Sequence, residues 1–119
     1  MKHIFFPIFL CVLTVFTFAQ ELPKGKSWQI LAHRGFSGLA PENTLISFKK
    51  ALEAGATCAE CDVYRTADGV LILSHDRNTK RTTGVDLDIP KTNWEEIKKL
   101  DAGSWKGKEF AGLIAFIFS

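Results

Sequence analysis

Apolar positions along the chain change their spacing several times, and each change predicts an element. From Ile4 to Phe18 they form a run broken mainly by Pro7 and two threonines. WQILAH, Trp28 to His33, is a short apolar stretch stopped by Gly35, which predicts a buried strand. In PENTLISFKKALEAG the spacing becomes helical. Leu45, Phe48 and Leu52 share one face, and Lys49, Lys50 and Glu53 fall on the wet side. Asn43 is the expected N-cap of that helix and Gly55 suits its C′ position. A second strand is expected over residues 58 to 65 and a third over Val70 to His75. After a polar stretch, Thr92 to Leu100 reads as a helix, with Thr92 and Glu95 at capping-box spacing.

The lengths of the connections predict how these elements pair. Twenty-two residues separate Gly35 from Cys58, enough for a crossover, so the first two strands should be parallel. Little more than Ala67-Asp68-Gly69 separates the second strand from the third, so these should be antiparallel. Asp-Gly is a preferred two-residue hairpin turn. That turn would place Ala67 opposite Val70, Tyr64 opposite Leu73 and Asp62 opposite His75, and a slip of one residue would break the last pairing.

Composition changes the picture mainly at the N-terminus. Five of the ten Phe lie in the first 18 residues, where Lys2 is the only charge. Residues 1–19 are expected to be a cleaved secretory signal peptide, with Thr17 and Ala19 as the small residues before the cut. The run is about 15 residues, short of the roughly 20 of a spanning helix. Cys11 is preceded by Leu10, which does not suit a lipoprotein cysteine. Residues 20–27 read as a leader, and the protein is expected to be exported, to periplasm or exterior. With 15 Lys plus Arg against 13 Asp plus Glu, the charge balance gives no reason to expect nucleic acid, and no protein partner is evident.

Chemistry concentrates where the strands end. His33 and Arg34 close the first strand, and the carboxyl ends of parallel strands form the ligand face of such folds. Glu60 and Asp62 lie two apart on a strand, so both should point to one face, with Ala59, Cys61 and Val63 on the other, beneath helices. Adjacent like charges suggest a cation between them, and oxygen ligands suit one hard divalent ion, Mg²⁺ or Ca²⁺. The expected hairpin register would bring His75 beside them. Cys58 and Cys61 form a CxxC, but an extended strand puts their thiols on opposite faces. They read as packing residues.

HRGFSGLAPENTLISF, AECDVYRTADGVLILSHD and RTTG together resemble the glycerophosphodiester phosphodiesterases, over about residues 28 to 110. The resemblance implies an α/β fold, the N-terminal portion of a (β/α)8 TIM barrel with a β-hairpin after the second strand. It implies hydrolysis of glycerophosphodiesters to glycerol 3-phosphate and an alcohol. His33 and His75 would be the general acid–base pair, Arg34 a phosphate contact, and Glu60 and Asp62 the ligands of one divalent cation. Glu42 and Asn43 match the Pro-Glu-Asn-Thr motif and are expected to be mainly structural.

After Gly112 the family pattern expects charged residues, a Pro-containing loop and a helix, whereas residues 113–119 are an apolar tail. Residues 28–112 are therefore expected to be a partial domain, without the later strand that carries the family's third carboxylate ligand. A full barrel typically takes about 250 residues. Two readings follow: a metal-dependent phosphodiesterase, or a non-catalytic exported remnant that is poorly folded by itself.

Overall fold

The computed structural model describes residues 28–115 and residue 117. The expected signal peptide, the leader and Cys11 lie outside them, as does part of the apolar tail. Among the described residues no helix is long and apolar enough to cross a membrane.

Strand β1 (Leu31–His33) pairs in parallel with β2 (Cys58–Glu60), and helix α1 (Leu45–Glu53) forms the crossover. This is the expected unit, with His33 registered against Glu60. Its burial differs from expectation. Leu31 is 59% exposed, Leu45 63% and Leu52 61%. Helix α1 instead buries Ser47 and Ala51, because the loop after β1 lies directly on it. Asn43 is not the cap. Thr44 is, its Oγ1 accepting from the Ser47 amide at 3.3 Å. Gly55 is left-handed (φ +94°), as its position after the helix suggested.

The expected long strand over residues 58 to 65 is two strands. After β2 the backbone leaves the sheet, and β3 (Val63–Arg65) pairs antiparallel with β4 (Leu71–Leu73) in a second two-stranded sheet. The break falls where the Asp62 amide donates to the Asn43 side chain (3.3 Å) instead of to a neighbouring strand. Ala59 and Val63 are exposed, not covered by helices.

The hairpin register is one residue away from the expected one. Val63 faces Leu73 and Tyr64 faces Ile72. Thr66 and Val70 close the loop, with the Gly69 amide donating to the Thr66 carbonyl and Gly69 at φ +92°. That is a three-residue loop with a bulge at the left-handed glycine. Two anchors on Asp68 favour it. Thr66 Oγ1 donates to Asp68 Oδ1, and the Trp94 amide donates to the same carboxylate at 3.1 Å.

The Trp94 bond also replaces the expected capping box. Helix α3 spans only Trp94–Ile97, and Thr92 Oγ1 donates to the Asp88 carbonyl instead. Between hairpin and α3 lie the one-turn helix α2 (Lys80–Thr83) and a 3₁₀ turn, Ile89–Lys91. The hydrophobic core sits under the hairpin: Ile72, Ile89 and Ile97 are buried, with Tyr64, Val70, Leu87, Trp94 and Ala115 packed against them.

Candidate active site

The loop after β1 is held by backbone geometry that few sequences permit. Arg34 has φ +56°, a region that costs a non-glycine residue roughly 1 kcal/mol or more. Its backbone is fixed on both sides. The Arg34 amide donates to Glu60 Oε2 at 3.1 Å, and its carbonyl accepts from the Asn43 amide (3.1 Å) and Ser47 Oγ (3.0 Å). Gly35 follows at φ +78°, and a Cβ there would collide with Ser47 Oγ and lie 2.8 Å from the Ser47 carbonyl carbon. Farther along, Lys106 Nζ donates to the Ser37 carbonyl at 2.7 Å, tying the loop to the chain 69 residues later.

This loop aims Arg34 into a cluster of carboxylates. Its Nη1 donates to Glu42 Oε1 (3.3 Å), and its buried Nε lies 3.2 Å from Asp62 Oδ2 without the alignment of a hydrogen bond. Asn43, also left-handed at φ +56°, turns its side chain across the gap between sheets. Its Nδ2 donates to Asp62 Oδ2 (3.0 Å) while its Oδ1 accepts from the Asp62 amide. His33 Nε2 stands 3.9 Å from Glu60 Oε2, and its ring is 66% exposed. His33, Arg34, Glu60 and Asp62 therefore converge as expected.

His75 arrives by another route. Because of the register, the Asp62 carbonyl meets the Ser74 amide (3.0 Å), and His75 is not paired with Asp62. Its Nδ1 instead lies 2.6 Å from Asp76 Oδ1. Arg81 Nε donates to Asp76 Oδ2 at 2.6 Å, and its two Nη atoms donate to both oxygens of Glu42, at 3.0 and 2.6 Å. Glu42 thus lies between Arg34 and Arg81, with a side chain only 10% exposed. One polar chain runs His33, Glu60, Arg34, Glu42, Arg81, Asp76, His75. A pocket beside its far end is lined by Glu42, Asn43, Ser74 and His75 over Ile72 and Leu100, and does not extend to His33.

Glu42, Asp76 and Arg81 are the residues that reading the sequence missed as parts of the site. Glu42 was expected to be structural, and the contact that defines it comes from 39 residues away. The Arg81 hydrogen bond, acting against burial, holds the Glu42 carboxyl below its ordinary range. Arg81, and more weakly His75, does the same for Asp76. Arg81 is raised in turn by Glu42 and Asp76.

The rest of the Arg-Thr-Thr-Gly motif positions Arg81. Thr83 Oγ1 donates to the Thr79 carbonyl (2.9 Å), and left-handed Gly84 ends α2 with its amide on the Lys80 carbonyl (2.8 Å). Trp105 lies against the guanidinium, 5.6 Å from Cζ to the ring centroid.

Two carboxylates are available to a cation. Glu60 Oε1 and Asp62 Oδ1 make no hydrogen bond within the described residues, and paired carboxylate oxygens suit a hard divalent ion. No group of three or more His, Cys, Asp or Glu that could hold an ion occurs among the described residues. Cys58 and Cys61 are free thiols, half-buried.

Comparison with known proteins gives one result. The model of the glycerophosphoryl diester phosphodiesterase family matches residues 33–115. The chain is 48% identical over 83 residues to a glycerophosphodiester phosphodiesterase of Caldanaerobacter subterraneus, covering 70% of this chain and 34% of that protein. It is 45% identical over 84 residues to a human glycerophosphoinositol inositolphosphodiesterase, covering 64% of this chain and 16% of that protein. The crystal structure of a glycerophosphodiester phosphodiesterase from Agrobacterium tumefaciens superposes with a TM-score of 0.75 at 39% identity, over 77% of this chain and 40% of that one. An Oleispira antarctica phosphodiesterase in complex with the product sn-glycerol-3-phosphate gives 0.73 at 45% identity, over 76% and 37%. The chain thus spans about a third of the bacterial relative's length.

Proposed function

The chain belongs to the glycerophosphoryl diester phosphodiesterase family, and from that premise we propose that it serves hydrolysis of glycerophosphodiesters to glycerol 3-phosphate and an alcohol. The fold is the N-terminal portion of that family's barrel. The observation that carries the proposal is the single polar chain joining His33 to His75 through Arg34. It gathers, around one loop, groups able to hold a phosphate and to move protons on either side of it.

In this reading Arg34 binds the phosphodiester, since a guanidinium matches phosphate oxygens geometrically. One imidazole accepts a proton from the attacking group and the other donates one to the leaving alcohol. Glu60 and Asp62 would hold one divalent cation, Mg²⁺ or Ca²⁺, which when bound neutralises phosphate charge. Export of the protein belongs to the same proposal and rests on the N-terminal sequence alone.

The deciding experiment measures glycerol 3-phosphate release by the full chain with Mg²⁺ or Ca²⁺, then with chelator, and in His33→Ala and His75→Ala variants. Turnover that falls about 10²- to 10⁴-fold in each variant, and vanishes with chelator, is the expected result. No turnover under any condition overturns the enzymatic reading for this chain. Turnover untouched in either histidine variant removes that residue from the mechanism.

A further inference from the structure

The site contains an arginine that neither touches the cation ligands nor belongs to the acid–base pair, yet stands between two carboxylates. Arg81 engages three of the five coplanar N–H donors of its guanidinium. One reaches Asp76 and two reach Glu42. Glu42 is itself held from the other side by Arg34. The guanidinium is thus anchored to the loop before α1, to the segment after β4, and to the face of Trp105. Its own backbone is fixed by the closed turn of α2. A planar donor set anchored in this way holds an acceptor at one position, which an ammonium group cannot do.

The acceptor it holds is the carboxylate that meets His75. Asp76 uses Oδ2 for Arg81 and Oδ1 for His75 Nδ1. Two oxygens with two separate donors leave the carboxylate little freedom to rotate. A carboxylate fixed against Nδ1 selects the tautomer that carries its proton there, because only N–H can donate to it. The other ring nitrogen, Nε2, makes no hydrogen bond among the described residues.

We propose that Arg81 is a positioning residue for His75: it holds Asp76 so that the neutral imidazole keeps its proton on Nδ1 and presents Nε2 as the reactive atom. The inference rests on the reading of His75 as an acid–base group, but its observable, the ring tautomer, is independent of turnover. Arg81 does not itself touch the reacting atoms. It acts through Asp76, and Glu42 sets its angle of approach.

The test is ¹⁵N–¹H correlation of the histidine rings in the full chain, at a pH where His75 is neutral, with glycerol 3-phosphate release measured in parallel. The expected result is an Nδ1–H tautomer in the native chain. In Arg81→Met the signal should shift toward the Nε2–H form, with hydrolysis reduced about 10²-fold, the scale of a small misplacement at a reacting group. Arg81→Lys keeps the charge and the stem but not the fork, so it should fold and show an intermediate tautomer. An unchanged tautomer in Arg81→Met with a native-like amide spectrum overturns the proposal. So does an Nε2–H ring in the native chain. If Arg81→Met does not fold, a native tautomer in Arg81→Lys overturns it equally. A tautomer shift with hydrolysis unaffected supports positioning and removes His75 from the chemistry, so the two readings fail separately.

Discussion

The Arg34 amide donates to Glu60 Oε2 across 3.1 Å, although 26 residues separate the two. That bond makes Glu60, already a cation-ligand candidate through its other oxygen, the clamp on a left-handed Arg34 backbone as well. It also keeps one carboxylate oxygen occupied with protein. Ligand and loop therefore respond to mutation together, and the charge of Glu60 can be tested apart from its shape.

Glu60→Gln preserves an oxygen for the Arg34 amide and removes the negative charge. The fold should survive, with a melting temperature near that of the native chain, while Mg²⁺ or Ca²⁺ affinity measured by calorimetry falls. Equal cation affinity in both proteins would remove Glu60 from the ligand set.

Gly35→Ala should be costly, because the position is left-handed and a Cβ meets Ser47. Overcrowding of this kind costs about 1 to 3 kcal/mol. Gly38 is the control, since nothing lies within 4 Å of a Cβ there. Urea unfolding of the two variants should separate them. Equal midpoints would show that the loop yields without cost.

Thr44→Ala and Asn43→Ala distinguish the helix cap from the bridge to Asp62. Loss of an N-cap typically costs about 1 kcal/mol. Amide exchange should then quicken at Ser47 in the first variant, and at Asp62 in the second. The reverse assignment would restore Asn43 as the cap.

Acid should loosen the site through Glu42 and Asp76. Both are held below their ordinary values of 4.5 and 3.8 when folded. A depressed carboxyl stabilises the fold above its unfolded pKa, and that contribution is lost as pH falls through the folded value. Stability should therefore drop on acidification below about pH 4.5. Arg81→Met removes the first cause of both shifts, so its loss of stability between neutral and acid pH should be smaller. Parallel profiles of melting temperature against pH would contradict this.

The parallel β1–α1–β2 unit was legible because a long connection permits a crossover and a short one does not. The same reasoning made the hairpin antiparallel. Its register was not legible, since Asp-Gly serves two- and three-residue loops alike. The choice was made by Asp68 reaching Trp94, a contact across 26 residues. Asn43 and Thr44 are both good caps in sequence, and only the nearness of Asp62 assigns Asn43 elsewhere. His33, Arg34, Glu60 and Asp62 could be placed together because sheet register carries them there. The Glu42–Arg81 pair could not, because no periodicity links a loop before one helix to a single turn 39 residues on.

The bond from Lys106 to the Ser37 carbonyl has a consequence for how the protein is made. Ribosomes extend chains from the N-terminus at about 5 to 20 residues per second. The loop that carries His33 and Arg34 emerges early, but its clamps emerge later. Glu60 comes 26 residues after Arg34, and Lys106 69 residues after Ser37. During that interval the left-handed Arg34 can be held only through its carbonyl, by the Asn43 amide and Ser47 Oγ, and lacks both later clamps. The segment synthesised first among those that form the site is among the last to be locked.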